Sequence, residues 1–483
     1  MKKWQKVSTA IALGATLVGL AGCGSGDAKA EDSKVPTILM YEQGAKPKEF
    51  DKLLSKVNQV MEKEAGAKLD IQFIDFGDYS KKMSVIVSSG ESYDIAMADN
   101  YVVNAQKGAY ADLTELAPKY AKEAFDMIDQ AYIDGNTVDG KLYAFPVNNN
   151  VYSQQVLSFD KELLDKYDLS IENVKDYKDL EPLFKVIKEN EPNLALITTG
   201  PNYKVYEDLD HVINNNLPFV VRTTGDDKET IYNKYDLPEV QEDLQTMHDF
   251  YQKGYIIKDA ATSTTTYPLG EKTWFSRAST QGPFDYGNTA LSNAAGREIV
   301  TVPLTSKIKS VSDLRMANFV ISSTSKHKEE ALKILNVLNT NTEVLNTLVY
   351  GLEGEAWEYN DNDTVTLLDG YKPDYHLSTW NVGNGLTATP TDGITQEQID
   401  ERDKNISEAP ESPIVGCNFS FDDVKTEITN VSSVINKYQV GLMTGTLDPD
   451  ETIPKMNKEL EAAGMNKIIK ELQSQYDEFL SEK

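Results

Sequence analysis

Between residues 35 and 97 the hydrophobic pattern changes period four times, and this alternation limits the possible folds more than any other feature of the chain. Val35–Met40 is a short apolar run of the kind that forms a strand buried on both faces. Pro47 then opens a helical stretch, Lys48–Ala65, with Phe50, Leu53, Leu54, Val57, Val60 and Met61 on one face and Gly66 as its stop. Lys68–Ile74 alternates as a strand. Asp78 is a candidate N-cap for a helix to about Ser88, and Tyr93–Met97 reads as a third strand. Strand–helix–strand–helix–strand requires right-handed crossovers and predicts an open parallel α/β sheet. Ligands of such sheets sit at the carboxyl ends of the strands. Those ends are Tyr41-Glu42, Gly77-Asp78 and Asp99-Asn100-Tyr101.

The alternation resumes after a short strand, Thr137–Val147, ended by Pro146 and followed by Asn148-Asn149-Asn150, a candidate crossover to a second unit. Val151–Phe159 and Leu194–Thr198 read as strands, and Asp160–Tyr167, Leu180–Glu189 and Glu239–Gly254 as helices. From Ala260 to Gly296 periodicity fades into Thr, Ser, Gly and aromatic residues, which suits a ligand-facing loop region. Ala317–Ser322 and Lys328–Asn339 restore a strand and a helix. Two long helices close the chain, at about Phe421–Thr444 and Pro449–Leu480, the second with an expected break near Ala463-Gly464.

The N-terminus carries Lys2, Lys3 and Lys6, then an apolar run to Leu20 that is too short for a membrane span and reads as a signal peptide. It ends in Leu20-Ala21-Gly22-Cys23, which resembles the lipobox of bacterial lipoproteins. That resemblance implies cleavage after residue 22 and a diacylglyceryl group on Cys23, enough acyl chain for firm anchoring. Residues 23–34 then form a lipidated, polar tether. With Cys23 lipidated, Cys417 has no partner for an internal disulfide.

Composition excludes several classes. Acidic residues number 76 against 48 basic ones, a net charge of −28 that becomes −31 once the three signal-peptide lysines are removed. Such a surface repels nucleic acid, and it disfavours anionic ligands unless a local basic pocket exists. Four His without metal-ligand spacing argue against zinc chemistry. Asp361-Asn362-Asp363 begins like a calcium loop, but its Gly and closing Glu are misplaced, so it reads as a solvated turn.

Four segments and the C-terminal tail resemble a known family. Gly140-Lys141-Leu142-Tyr143-Ala144-Phe145-Pro146 is similar to the segment that leads into the first hinge of bacterial extracellular solute-binding proteins of family 1, the receptors of carbohydrate importers. Ile321–Leu338 is similar to that family's strand, Ser-x-x-Lys and helix segment; Tyr350–Gly354 and the W-x-x-G-N segment Trp380–Asn384 resemble its Gram-positive lipoprotein subgroup, as do NFSFDDVKTEITNVSSVINKY, GTLDPDE and AAGMNKIIKELQSQYDEFL. The resemblance implies a two-lobed, type II periplasmic-binding-protein-like α/β fold with a cleft between hinged lobes. On that basis residues 35–147 and about 316–356 form lobe 1. Residues 148–315 and about 357–483 form lobe 2 with a C-terminal helical extension, and the chain crosses near Asn148, near Arg315 and after Gly354. It further implies a monomer on the outer face of the cell membrane that hands a sugar or oligosaccharide to the transmembrane subunits of an ABC permease. No cofactor and no catalysis are implied.

Sugars offer apolar C–H faces rimmed by hydroxyls, so a receptor needs flat aromatic plates and polar side chains to pair the rim. Candidate contacts are Trp274, Trp357 and Trp380, the three tryptophans of the mature chain; Tyr41 and Glu42 after the first strand; Asp99 and Asn100 after the third; Asn148 and Asn149 at the crossover; and Asp285 beside Tyr286 in the aromatic loop. Two other readings compete: a lipoprotein glycoside hydrolase, which would need a carboxylate pair across the scissile bond, and a receptor for a non-sugar solute such as a peptide.

Overall fold

The computed structural model describes residues 35–482; the signal peptide, Cys23 with its lipobox and the tether lie outside the described residues. The first sheet runs in the order Lys68–Ile74, Thr37–Gln43, Ile95–Met97, Asn318–Ile321, Ala144–Pro146. Its first three strands are parallel, as the alternation predicts. The return strand Asn318–Ile321 pairs antiparallel with both neighbours, so the sheet is mixed. The helix Phe50–Glu64 covers the sheet with Phe50, Leu53, Val57 and Met61, a stripe at spacings of three and four residues. Each of those side chains contributes roughly 1.5–3 kcal/mol by leaving water.

A second four-stranded sheet has the order Ile299–Pro303, Gln154–Asp160, Trp274–Gln281, Ala195–Ile197. The strand Trp274–Gln281 falls where the fading periodicity predicts loop. Only Trp274 and Phe275 in it are large and apolar, and they lie at its buried end, while Ser279, Thr280 and Gln281 run out toward solvent. Strand pairing on both sides sets its conformation in place of an alternating pattern.

The C-terminal helices form a third layer. Lys425–Met443, Pro449–Ala463 and Met465–Glu482 pack on a small antiparallel sheet of Leu209–His211, Phe219–Arg222 and Tyr232–Asn233. The expected break falls at Gly464, whose φ of 101° is left-handed; a Cβ there would also meet the Glu427 side chain. The helix Pro238–Gln252 joins this layer to the second lobe, giving Val240 and Leu244 to one core and Met247 and Phe250 to the other.

Three stretches connect the two main sheets. The first is 147–153 and the second 304–317. The third begins later than expected. After Gly354 the hairpin Trp357–Tyr359 and Val365–Leu367 packs beside Tyr350, and Leu377 and Val382 fill the first lobe's core, with Ala388 against it. The chain therefore stays with the first lobe to about residue 388, because apolar side chains hold it there. The crossings share a small core of Ala131, Tyr132, Val151, Tyr152, Leu314, Ala409 and Val415. Lys309, almost fully buried, pairs with Asp129 at 2.8 Å across this junction.

Candidate functional site

The W-x-x-G-N segment shows how local sequence aims side chains at the cleft. Thr379–Asn381 is one turn of 3-10 helix. Val382 points into the first lobe's core, and Gly383 packs so close to the Leu338 carbonyl and Leu345 that a Cβ would overlap them. With those two positions pinned inward, Trp380 is left half-buried. Its ring lies 6.2 Å from that of Phe76 with 22° between the planes. Phe76, 57% exposed, follows the strand Lys68–Ile74, so a carboxyl strand end supplies half of this aromatic platform.

Glu42 lies beside it. It shares the inward face of its strand with Ile38 and Met40 and is 1% exposed. Its Oε1 accepts from Gln43 N at 3.1 Å and from Asn381 Nδ2 at 3.3 Å. Among the described residues its Oε2 has no partner, and neither have Asn381 Oδ1 and Asn149 Oδ1, all three buried. Burial pushes the Glu42 carboxyl well above the ordinary carboxylate range, with only the Gln43 amide opposing it. Tyr79 closes this end of the sheet by donating to Met97 O at 2.7 Å, and burial first and Glu42 second raise its phenol.

The crossover asparagines tie the platform to the hinge. Asn150 Nδ2 donates to Trp380 O at 3.2 Å, and Gly385 N donates to Asn148 O at 3.0 Å. Asn148 Nδ2 in turn holds Met127 O at 3.0 Å. Gly385 lies against Asn149 Oδ1 and the ring of Phe284, where any Cβ would collide, so the second lobe's aromatic loop meets the crossover at a glycine. A cavity of about 210 Å³ opens there, bounded by Phe284, Tyr286 and Asn293 on one side and Tyr350, Thr379 and Thr389 on the other. An adjoining cavity of about 180 Å³ is lined by Tyr152, Gln154, Gln281, Tyr286, Arg402 and Asn405. Arg402 donates to the Tyr286 hydroxyl at 3.0 Å and sits 5.3 Å from the Phe284 ring.

Glu42, Asn148, Asn149 and Trp380 are thus one connected set, and Asp285 borders it. The Asp285 carboxylate accepts from the Gly282 amide, and burial raises its pKa. Tyr41 points to the other face of its strand, against Tyr93 and Glu91. Asp99 uses its carbonyl to accept from Tyr110 and Asn104 at 2.7 Å, and Asn100 is an exposed residue with φ of 45°. The two remaining tryptophans are placed away from solvent. Trp274 is 0% exposed, walled by Ala195, Ala295 and Ile299, with the guanidiniums of Arg297 and Arg277 at 4.9 and 5.4 Å from its ring. Trp357 is 2% exposed and donates to Gly351 O at 2.8 Å. Strand pairing draws both rings inward, which their polar neighbours in sequence conceal. Phe76, Asn381 and Phe284 go unnoticed in the sequence; only Asn381 carries a signal, its place inside W-x-x-G-N.

The profile of a family described as "Bacterial extracellular solute-binding protein" matches residues 57–351, and a domain of unknown function, DUF3502, matches residues 413–481, the C-terminal helical layer. A "Carbohydrate ABC transporter substrate-binding protein" of Streptococcus pneumoniae serotype 4 is 46% identical over the full length of both chains. The crystal structure of the N-glycan transport solute binding protein NgtS of Streptococcus pneumoniae is 47% identical and superposes with a TM-score of 0.90 over 92% of this chain and 99% of that one. The same protein in complex with Man5GlcNAc superposes at 0.78, over 93% and 99%. An HMO-binding, ABC-transporter-associated solute binding protein of Bifidobacterium longum infantis is 17% identical with a TM-score of 0.63, over 92% and 99%, and supports the fold alone. The close relatives are substrate-binding proteins of transporters and not enzymes, which removes the glycoside-hydrolase reading. Two hinged lobes, polar crossovers and a cleft with aromatic walls agree with those matches: the chain belongs to the bacterial extracellular solute-binding proteins.

Proposed function

We propose that this protein captures an oligosaccharide containing mannose and N-acetylglucosamine by closing its lobes, and delivers it to the transmembrane subunits of an ABC permease while held at the outer membrane surface by a lipid on Cys23. The observation that carries this reading is the pairing of a half-exposed aromatic platform, Phe76–Trp380, with buried oxygens of Glu42, Asn381 and Asn149 that lack partners. A sugar ring stacks its C–H face on the platform while its hydroxyls satisfy those oxygens. The full-length likeness to NgtS, solved with Man1GlcNAc and with Man5GlcNAc, selects the class of sugar. Superposition falls from 0.90 for NgtS alone to 0.82 and 0.78 for the two complexes while identity stays at 46–47%. A fall in superposition at unchanged identity is consistent with hinge closure.

Calorimetric titration with Man1GlcNAc and Man5GlcNAc should give one-to-one binding and leave the sugar intact. Silence with both, alongside binding of a peptide or a glucose polymer, overturns the assignment. For the anchor, Cys23→Ala should release the protein from the membrane fraction into the medium.

A further inference from the structure

A third cavity, of about 170 Å³, opens in the second lobe beside the three-stranded sheet, and its wall carries Lys234, Thr223 and His211. Lys234 follows the strand Tyr232–Asn233, is 6% exposed, and its ammonium makes no hydrogen bond or ion pair among the described residues; the Tyr235 ring centre lies 5.3 Å from it. Among the described residues the buried Thr223 Oγ1 has no partner, while the neutral His211 ring uses its N–H on the Leu217 backbone. Sheet register gathers these groups. Val220 pairs with both His211 and Tyr232, and Lys234 N donates to Pro218 O one strand over.

Buried donors without acceptors are costly, and an unpaired ammonium most of all. The acids on the same wall do not relieve it. Asp208 accepts from Ser306 N at 2.7 Å, and Asp210 from His211 N at 2.8 Å and Val311 N at 3.3 Å. Burial and then the neighbouring Asp243 push the Glu207 carboxyl above its ordinary range. The groups that act on Lys234 are its burial and then the charge of Lys204, and together they push it down to about 7. Burial and then Lys234 push His211 down to about 3.

We infer that this cavity is a binding site for a compact oxyanion, such as inorganic phosphate or a carboxylate, held by the Lys234 ammonium and the Thr223 hydroxyl. A water needs roughly 10–15 Å³ by the same measure, so a four-oxygen anion fits with room for hydration. The site has one cation, Lys234, in a chain whose net charge of −28 otherwise repels anions. It uses none of the residues assigned to oligosaccharide capture, so either reading can fail alone.

Calorimetry of the full mature chain with inorganic phosphate tests it. Binding should be accompanied by proton uptake, visible as heats that change with buffer ionisation enthalpy. Affinity should be level below pH about 7 and weaken by about tenfold per unit above it, as the free ammonium is lost. Lys234→Met should abolish phosphate binding while raising thermal stability in phosphate-free buffer, because a lone buried charge is gone. Should that variant not fold, Thr223→Val should still weaken phosphate by about threefold or more. Parallel titrations with acetate and with a sugar phosphate distinguish a free anion from an anionic group on a larger solute. No binding of phosphate or acetate at tens of millimolar, or binding untouched by both substitutions, overturns the inference.

Discussion

Trp274 and Trp380 are the same side chain in similarly polar stretches of sequence, yet one is fully buried and the other is half-exposed beside Phe76. Trp274 opens the strand Trp274–Gln281, and pairing on both sides carries its ring into a pocket between two guanidiniums. Trp380 sits on a single helical turn whose next two residues are pinned into the core, and that leaves its ring at the surface beside Phe76. Exposure here follows from what anchors the neighbours and not from the polarity of the neighbours.

That contrast can be broken in order of expected effect. Trp274→Ala should cost about 3–5 kcal/mol of stability, as truncation of a fully buried aromatic does. It should lower the midpoint of thermal unfolding while leaving oligosaccharide affinity of the folded fraction unchanged. Trp380→Ala should do the reverse, with little change in the midpoint and a loss of affinity of about tenfold or more by titration calorimetry. Phe76→Ala should weaken binding less, by the roughly 0.5–1.5 kcal/mol of an aromatic stacking contact. A large stability loss in Trp380→Ala, or an affinity loss in Trp274→Ala, would erase the distinction.

Glu42→Gln sharpens the same comparison through pH. The carboxyl is raised in the folded state by burial, so ionisation works against folding. Below the ordinary carboxylate pKa both proteins are neutral at this position and equally stable. As pH rises past it, wild type should lose stability relative to the glutamine variant, until the raised folded value is passed. Urea denaturation at a series of pH values reads this directly; a variant that is less stable at neutral pH contradicts it.

Much of the first lobe was legible because each of its elements buries one face by itself: Phe50, Leu53, Val57 and Met61 mark their helix at the right spacing. Gly464 likewise announces its break, since few other residues adopt that φ. The site was legible only in part. Glu42 and Trp380 could be singled out by chemistry and by motif, but their meeting through Asn381 joins residues 339 positions apart, which no local pattern encodes. Phe76 is a lone aromatic in a turn, and the third crossing depends on Leu377 and Val382 finding a core laid down by earlier strands. Tyr41 stands at a strand end like Glu42, yet strand alternation turns it to the opposite face.

The most direct test of oligosaccharide capture on this platform is a crystal structure of the mature chain grown with Man5GlcNAc. The account predicts a sugar ring stacked on Trp380 within about 4 Å, hydroxyls paired with Glu42 and Asn381, and the lobes drawn together. Sugar bound elsewhere, with the Trp380 and Phe76 rings still facing solvent, would contradict it.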